Sequence, residues 1–143
     1  MAYTTINPYN GELLAQFDTL TTEQLEHKLA TAAHCYATWK TKTYAQRATI
    51  IAKAGELMHQ RCDALARKIT LEMGKRINEA RGEVKFSADI MAYYANNAER
   101  FLAPQSLEPT QGEAHMESSP IGVVFGVEPW NFPFYQLARV AGP

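Results

Sequence analysis

The 143 residues are 46% hydrophobic and 20% charged, the size and balance of one ordinary globular domain with a sizeable core; seven prolines and eight glycines give no sign of disorder or low complexity. Fourteen basic residues against fifteen acidic ones leave a formal net charge of -1, well mixed along the chain, which argues against a nucleic-acid groove or a membrane-binding face. Cys35 and Cys62 are too few for a disulfide scaffold and form no C-x-x-C pair, so reduced thiols packed in helices are expected. No apolar run approaches the ~20 residues that span a bilayer, and Met1-Ala-Tyr-Thr-Thr5 lacks the basic-then-apolar pattern of a secretory leader. A cytoplasmic protein is the expectation.

In chain order, Asn7-Pro-Tyr-Asn-Gly11 sets turn formers between Tyr3-Thr-Thr-Ile6 and Leu13-Leu-Ala-Gln-Phe17, the pattern of a hairpin or two extended pieces. Thr21 and Gln24 have capping-box spacing and open a first helix, along which Leu25, Leu29, Ala32, Tyr36 and Trp39 form an apolar stripe. Thr43 caps a second helix predicted from Tyr44 to about Met73, ended by Gly74 in a left-handed C-cap. A third runs from about Ile77 to Leu102 with two apolar stripes, one through Ile77, Ala80, Val84, Ala88, Met91, Ala95, Ala98 and Leu102 and the other through Phe86, Ile90, Tyr94 and Phe101, so contacts on two sides are expected. His27 with His34, and His59 with Cys62, lack the further ligands a metal site needs, and Cys62 reads as a small buried apolar group.

Pro104 to Gly112 marks the change to extended structure, and Glu113 to Ser119 alternates as a strand with Ala114 and Met116 on one face. The unbroken apolar and glycine run Ile121–Val127 predicts a strand buried on both faces of a parallel sheet, stopped by Glu128 and Pro129. Trp130-Asn-Phe-Pro133 then leads into a helix-compatible stretch from Phe134 to Val140. Strand, turn and helix start make the first part of a βα unit, and ligands of open α/β sheets sit at the carboxyl ends of such strands. Asn131 offers there an uncharged NH2 donor of the kind that stabilises an oxyanion. The residues alone equally allow Asn131 to cap the helix and Trp130 to plug a core edge.

Pro120-Ile-Gly-Val-Val-Phe-Gly-Val-Glu-Pro-Trp-Asn-Phe-Pro133, with Asn7-Pro8, Gly11-Glu12, Trp39, Leu71-Glu-Met-Gly-Lys75 and Glu79-Ala-Arg-Gly-Glu-Val84 in order upstream, resembles the aldehyde dehydrogenase superfamily over almost the whole chain. The continuation Gln136-Leu-Ala-Arg139 is most similar to its succinate-semialdehyde branch. The resemblance implies an α/β fold, the N-terminal part of the aldehyde dehydrogenase fold and incomplete: a hairpin or arm over 1–20, helices over 21–103, an oligomerisation-type connection over 104–119, and the first strand and helix start of a dinucleotide-binding domain over 120–143. It implies a reaction in which a cysteine thiolate attacks an aldehyde, NAD or NADP takes the hydride, and a glutamate-activated water releases the acid. By the same resemblance Asn131 holds the carbonyl oxygen, Trp130 and Asn131 border the cofactor, Arg139 grips the substrate's distal carboxylate and Phe134 lines the aldehyde tunnel; the residues alone equally allow Arg139 as a helix-surface charge and favour Phe134 as core packing. The family's cysteine and glutamate fall beyond this segment, so 143 residues alone are expected to be inactive, the complete enzyme being a homodimer or homotetramer acting on a small aldehyde with no metal. The competing reading is a non-catalytic assembly module of the same fold.

Overall fold

The computed structural model describes residues 3–143; Met1 and Ala2, the start of the predicted arm, lie outside the described residues. The arm is the expected hairpin: β1 (Tyr3–Ile6) pairs antiparallel with β2 (Leu13–Phe17). Its turn is held by Asn7, whose side chain accepts from the Tyr9 N–H at 3.0 Å while its N–H donates to the Glu12 carbonyl at 2.8 Å, and Gly11 takes the left-handed conformation at φ 75°.

The predicted capping box at Thr21 is present, and the predicted cap at Thr43 is a capping box as well. Thr21 opens α1 (Thr22–Trp39), exchanging hydrogen bonds with Gln24, and Thr43 opens α2 (Tyr44–Gln60), exchanging them with Gln46. The continuous second helix is corrected: the helix is interrupted at Arg61 (φ -102°, ψ 15°), and α3 (Cys62–Met73) runs on to the predicted Gly74 cap at φ 74°. No proline or glycine marks the break, because its cause is tertiary. α2 and α3 pack separately along α4 (Ile77–Phe101), and cross-links stand on either side of the break, His59 with Asp89 at 3.0 Å and Asp63 with Arg81 at 2.7 Å. Cys62 is buried as expected, its thiol 3.7 Å from the Arg81 carbonyl oxygen, whereas Cys35 is exposed on α1 rather than packed.

The core lies between α3 and α4, where Cys62, Ala66 and Ile69 meet Ala80 and Val84. Farther along α4, Gly55 of α2 lets the two backbones approach so closely that an added Cβ would lie 2.9 Å from the Ala88 carbonyl oxygen. Of the two predicted stripes of α4 the first is buried at Ala80, Val84, Ala88 and Met91, whereas on the second Ile90 and Tyr94 are half-buried and Phe86 and Phe101 exposed. The α1 stripe is open as well, with Leu25 and Leu29 about half exposed and no residue of α1 buried.

After α4, β3 (Gln105–Leu107) pairs antiparallel with β4 (Ala114–Met116), so the extended connection folds on itself as a second hairpin instead of standing as a lone strand. The buried strand predicted over Ile121–Val127 does not form. The segment has no regular secondary structure and pairs with no strand among the described residues, and Ile121, Phe125 and Val127 are each more than four-fifths exposed. A parallel strand exists only between neighbours that complete its hydrogen bonds, and neither hairpin here presents an edge to it. The chain closes with α5 (Pro133–Ala141), which packs on α4 through Gln136 and Ala138.

Candidate active-site turn

The turn from Glu128 to Phe132 is held from below by α4. α5 starts with Pro133 at its first position, and its N-cap, Phe132, supplies no side-chain hydrogen bond. Asn131 therefore does not cap the helix. The orphan N–H groups of the first turn instead point at Glu83, whose Oε1 accepts from Phe134 N at 2.9 Å and from Tyr135 N at 3.4 Å. An anion at a helix N-terminus is favoured by both the free donors and the helix dipole.

Glu83 is nearly inaccessible, its side chain 2% exposed, and its other oxygen pairs with Lys75 Nζ. Lys75 also donates to the Asn131 carbonyl oxygen at 2.9 Å and lies 3.7 Å from the centre of the Phe132 ring. One ammonium thus touches α4 and two consecutive turn residues. Lys75 and Glu83 lie within Leu71–Lys75 and Glu79–Val84, but pattern and spacing alone give neither residue a role. The available signal was Glu83 on the stripe of Ala80, Val84 and Ala88, since a charge on a core face requires a partner.

With its backbone fixed, Asn131 is exposed and its side-chain amide is free of partners among the described residues, available as a donor to an incoming oxygen. Trp130 is 76% exposed and does not plug the core; it lines a groove of about 610 Å³ with Ile6, Ile69, Met73 and Phe134. Arg139 sits farther along α5, about 9 Å of helical rise from Pro133. Its guanidinium lies 5.5 Å from the Tyr135 ring centre, in a separate groove walled by Phe86, Ile90, Tyr93, Tyr94 and Asp89, whose carboxylate pairs with His59. It has no carboxylate partner among the described residues. Trp130 and Asn131 thus share one turn, with Arg139 on the helix that the turn begins. Neither cysteine belongs to this turn, and no cluster of metal-binding side chains exists among the described residues.

The profile of the aldehyde dehydrogenase family matches residues 1–143. The chain belongs to the aldehyde dehydrogenase family. Among curated members of that family, the succinate-semialdehyde dehydrogenase [NADP(+)] of Deinococcus radiodurans is 42% identical over 141 residues, which are 99% of this chain and 30% of the relative. Among solved structures, Gox0499 superposes with a TM-score of 0.97 at 40% identity, over 99% of this chain and 31% of its own. The succinic semialdehyde dehydrogenase of Streptococcus pyogenes, solved with NADP+, superposes with a TM-score of 0.92 at 38% identity, over 97% of this chain and 31% of its own. The chain therefore spans about 30% of the length of the aldehyde dehydrogenases it matches. Its mixed helices and small sheets are the α/β architecture of the N-terminal part of that fold.

Proposed function

We propose that these residues serve an NAD(P)-dependent aldehyde dehydrogenase that oxidises succinate semialdehyde to the dicarboxylic acid. The observation that carries this reading is the unpartnered Asn131 amide, presented on a turn whose backbone is anchored by Lys75 and Glu83. As a nucleophile adds to the aldehyde carbon, the carbonyl oxygen gains negative charge, and a neutral NH2 fixed in advance stabilises that charge without reorganising. Arg139 pairs with no carboxylate, since the Asp89 of its largely aromatic groove bonds His59 instead, and so suits the far carboxylate of a semialdehyde, for which a guanidinium fork is matched in shape and charge. Trp130 and the backbone of the turn face outward at the end of the apolar ribbon, open to a dinucleotide laid against them. NAD or NADP, when bound, takes the two electrons the aldehyde loses.

The thiolate and the water-activating carboxylate that the family reaction requires are not assigned to any of these residues. Cys62 is shut into the core and Cys35 stands on the exposed face of α1, so the 143 residues alone are proposed to be inactive. We extend the same reading to the division into arm (1–20), helices (21–103), oligomerisation-type connection (104–119) and start of the nucleotide-binding domain (120–143), and to a cytoplasmic enzyme of two or four copies. No helix among the described residues is long and apolar enough to cross a membrane.

The test replaces the matching third of the Deinococcus radiodurans relative with this chain and assays the resulting full-length enzyme with succinate semialdehyde and NADP. Turnover is expected, and Asn131→Ala should lower kcat by about 10² to 10³-fold. Arg139→Leu should raise KM for succinate semialdehyde far more than for an uncharged aldehyde. A folded hybrid without turnover would favour the assembly-module reading, which the open apolar face of α1 supports; equal losses for both aldehydes would remove Arg139 from the substrate site.

A further inference from the structure

We propose that Lys75 and Glu83 are positioning residues for Asn131, acting as a buried two-residue clamp that sets the turn from which the amide projects. This rests on the reading of Asn131 given above and adds the device that holds it. The clamp's groups are bonded on several sides. One Glu83 oxygen receives the Phe134 and Tyr135 N–H groups and the other receives Lys75, while Lys75 reaches the Asn131 carbonyl oxygen and the Phe132 ring. Positions 131, 132, 134 and 135 are thereby all tied to two side chains that are 9% and 2% exposed.

Stability alone does not explain this arrangement. A buried ion pair is commonly matched or exceeded by apolar residues of the same volume, because both charges lose their hydration. A local Ser, Thr or Asp at the N-cap would also serve α5 at less cost. A pair reaching from the start of α4 does what neither alternative can, fixing the Asn131 carbonyl and the first turn of α5 relative to the rigid helix pair of α3 and α4. With its carbonyl and the following N–H groups held, Asn131 has little backbone freedom left, and its amide is aimed before substrate arrives. Displacing a catalytic group by about 1 Å costs on the order of 10²-fold in rate.

The test uses the full-length hybrid enzyme with Lys75→Met and Glu83→Gln, each close in size to the residue it replaces. Each is expected to lower kcat by about 10²-fold. Added to Asn131→Ala, each should cost less than about threefold more, since an amide already absent cannot be misplaced. Hydrogen-exchange mass spectrometry should show faster exchange in the peptide covering 130–136, with α2 and α3 protected as in the parent. If a single variant loses protection throughout, the double variant Lys75→Met/Glu83→Gln, which strands no buried charge, takes its place and should behave the same way. Parent-like kcat or unchanged exchange at 130–136, beside a slow Asn131→Ala, would overturn the clamp and leave the oxyanion role standing. Losses that multiply with that of Asn131→Ala would also overturn it. An Asn131→Ala enzyme at the parent rate would instead remove the underlying reading, and the clamp's catalytic purpose with it.

Discussion

Two glycines inside helices should answer the same substitution with opposite signs. Gly82 on α4 has nothing within 4 Å of where a Cβ would stand, so Gly82→Ala should stabilise the chain by the ordinary helix-propensity difference of about 1 kcal/mol. Gly55→Ala carries the same gain, but its methyl would lie 2.9 Å from the Ala88 carbonyl oxygen and 3.2 Å from Met91 Cβ. A backbone oxygen in a helix cannot rotate aside, so α2 and α4 must separate along the most extensive helix pair in the molecule. Overpacking of this kind costs about 1 to 3 kcal/mol. Taking about 2 for the clash against 1 for the propensity leaves Gly55→Ala about 1 kcal/mol less stable than the parent, and Gly82→Ala about 1 more stable. Equilibrium urea unfolding followed by far-UV circular dichroism measures both differences, and in thermal melts the two alanine variants should stand roughly 6 to 8 °C apart. Gly55→Ala rising in stability alongside Gly82→Ala would refute the close approach of α2 and α4.

The remaining predictions concern the surface of α2. Thr43→Ala removes the side-chain oxygen that accepts from Gln46 N at 3.2 Å and should cost about 1 kcal/mol, with a urea midpoint lowered at unchanged slope. The hydrogen bond from Lys53 and then its charge hold the Glu56 carboxyl below its usual value of 4.5. A carboxyl whose folded pKa is depressed contributes stability above its unfolded pKa and loses it as pH falls through the folded one. The small difference between parent and Glu56→Gln should therefore be constant at neutral pH and vanish in acid; a difference that grows on acidification would contradict the pairing.

What could be read beforehand was what is decided within a few residues. The capping box at Thr21, the cap at Thr43, the left-handed stop at Gly74 and the first hairpin each depend on side chains close to the backbone they serve, and each is present. The break at Arg61 was hidden because the apolar period runs through it; its cause is how two segments lie on a third. Ile121–Val127 has the composition of a buried strand, yet a strand's hydrogen bonds belong to its neighbours, and the segment remains unpaired here. At the site, the string around Asn131 was legible as a motif. Its support was not, because Glu83 lies 51 residues before the N–H group that it caps.

The unpaired ribbon has a practical consequence for anyone handling the chain. Ile121-Gly-Val-Val-Phe-Gly-Val127 carries no charge, joins no sheet among the described residues and holds Phe125, which is 87% exposed. Such an edge is a template for like strands from other molecules, and its self-recognition strengthens with concentration. Dilute solution, or a Lys introduced at Val124 as a gatekeeper, should keep the chain dispersed long enough to be measured.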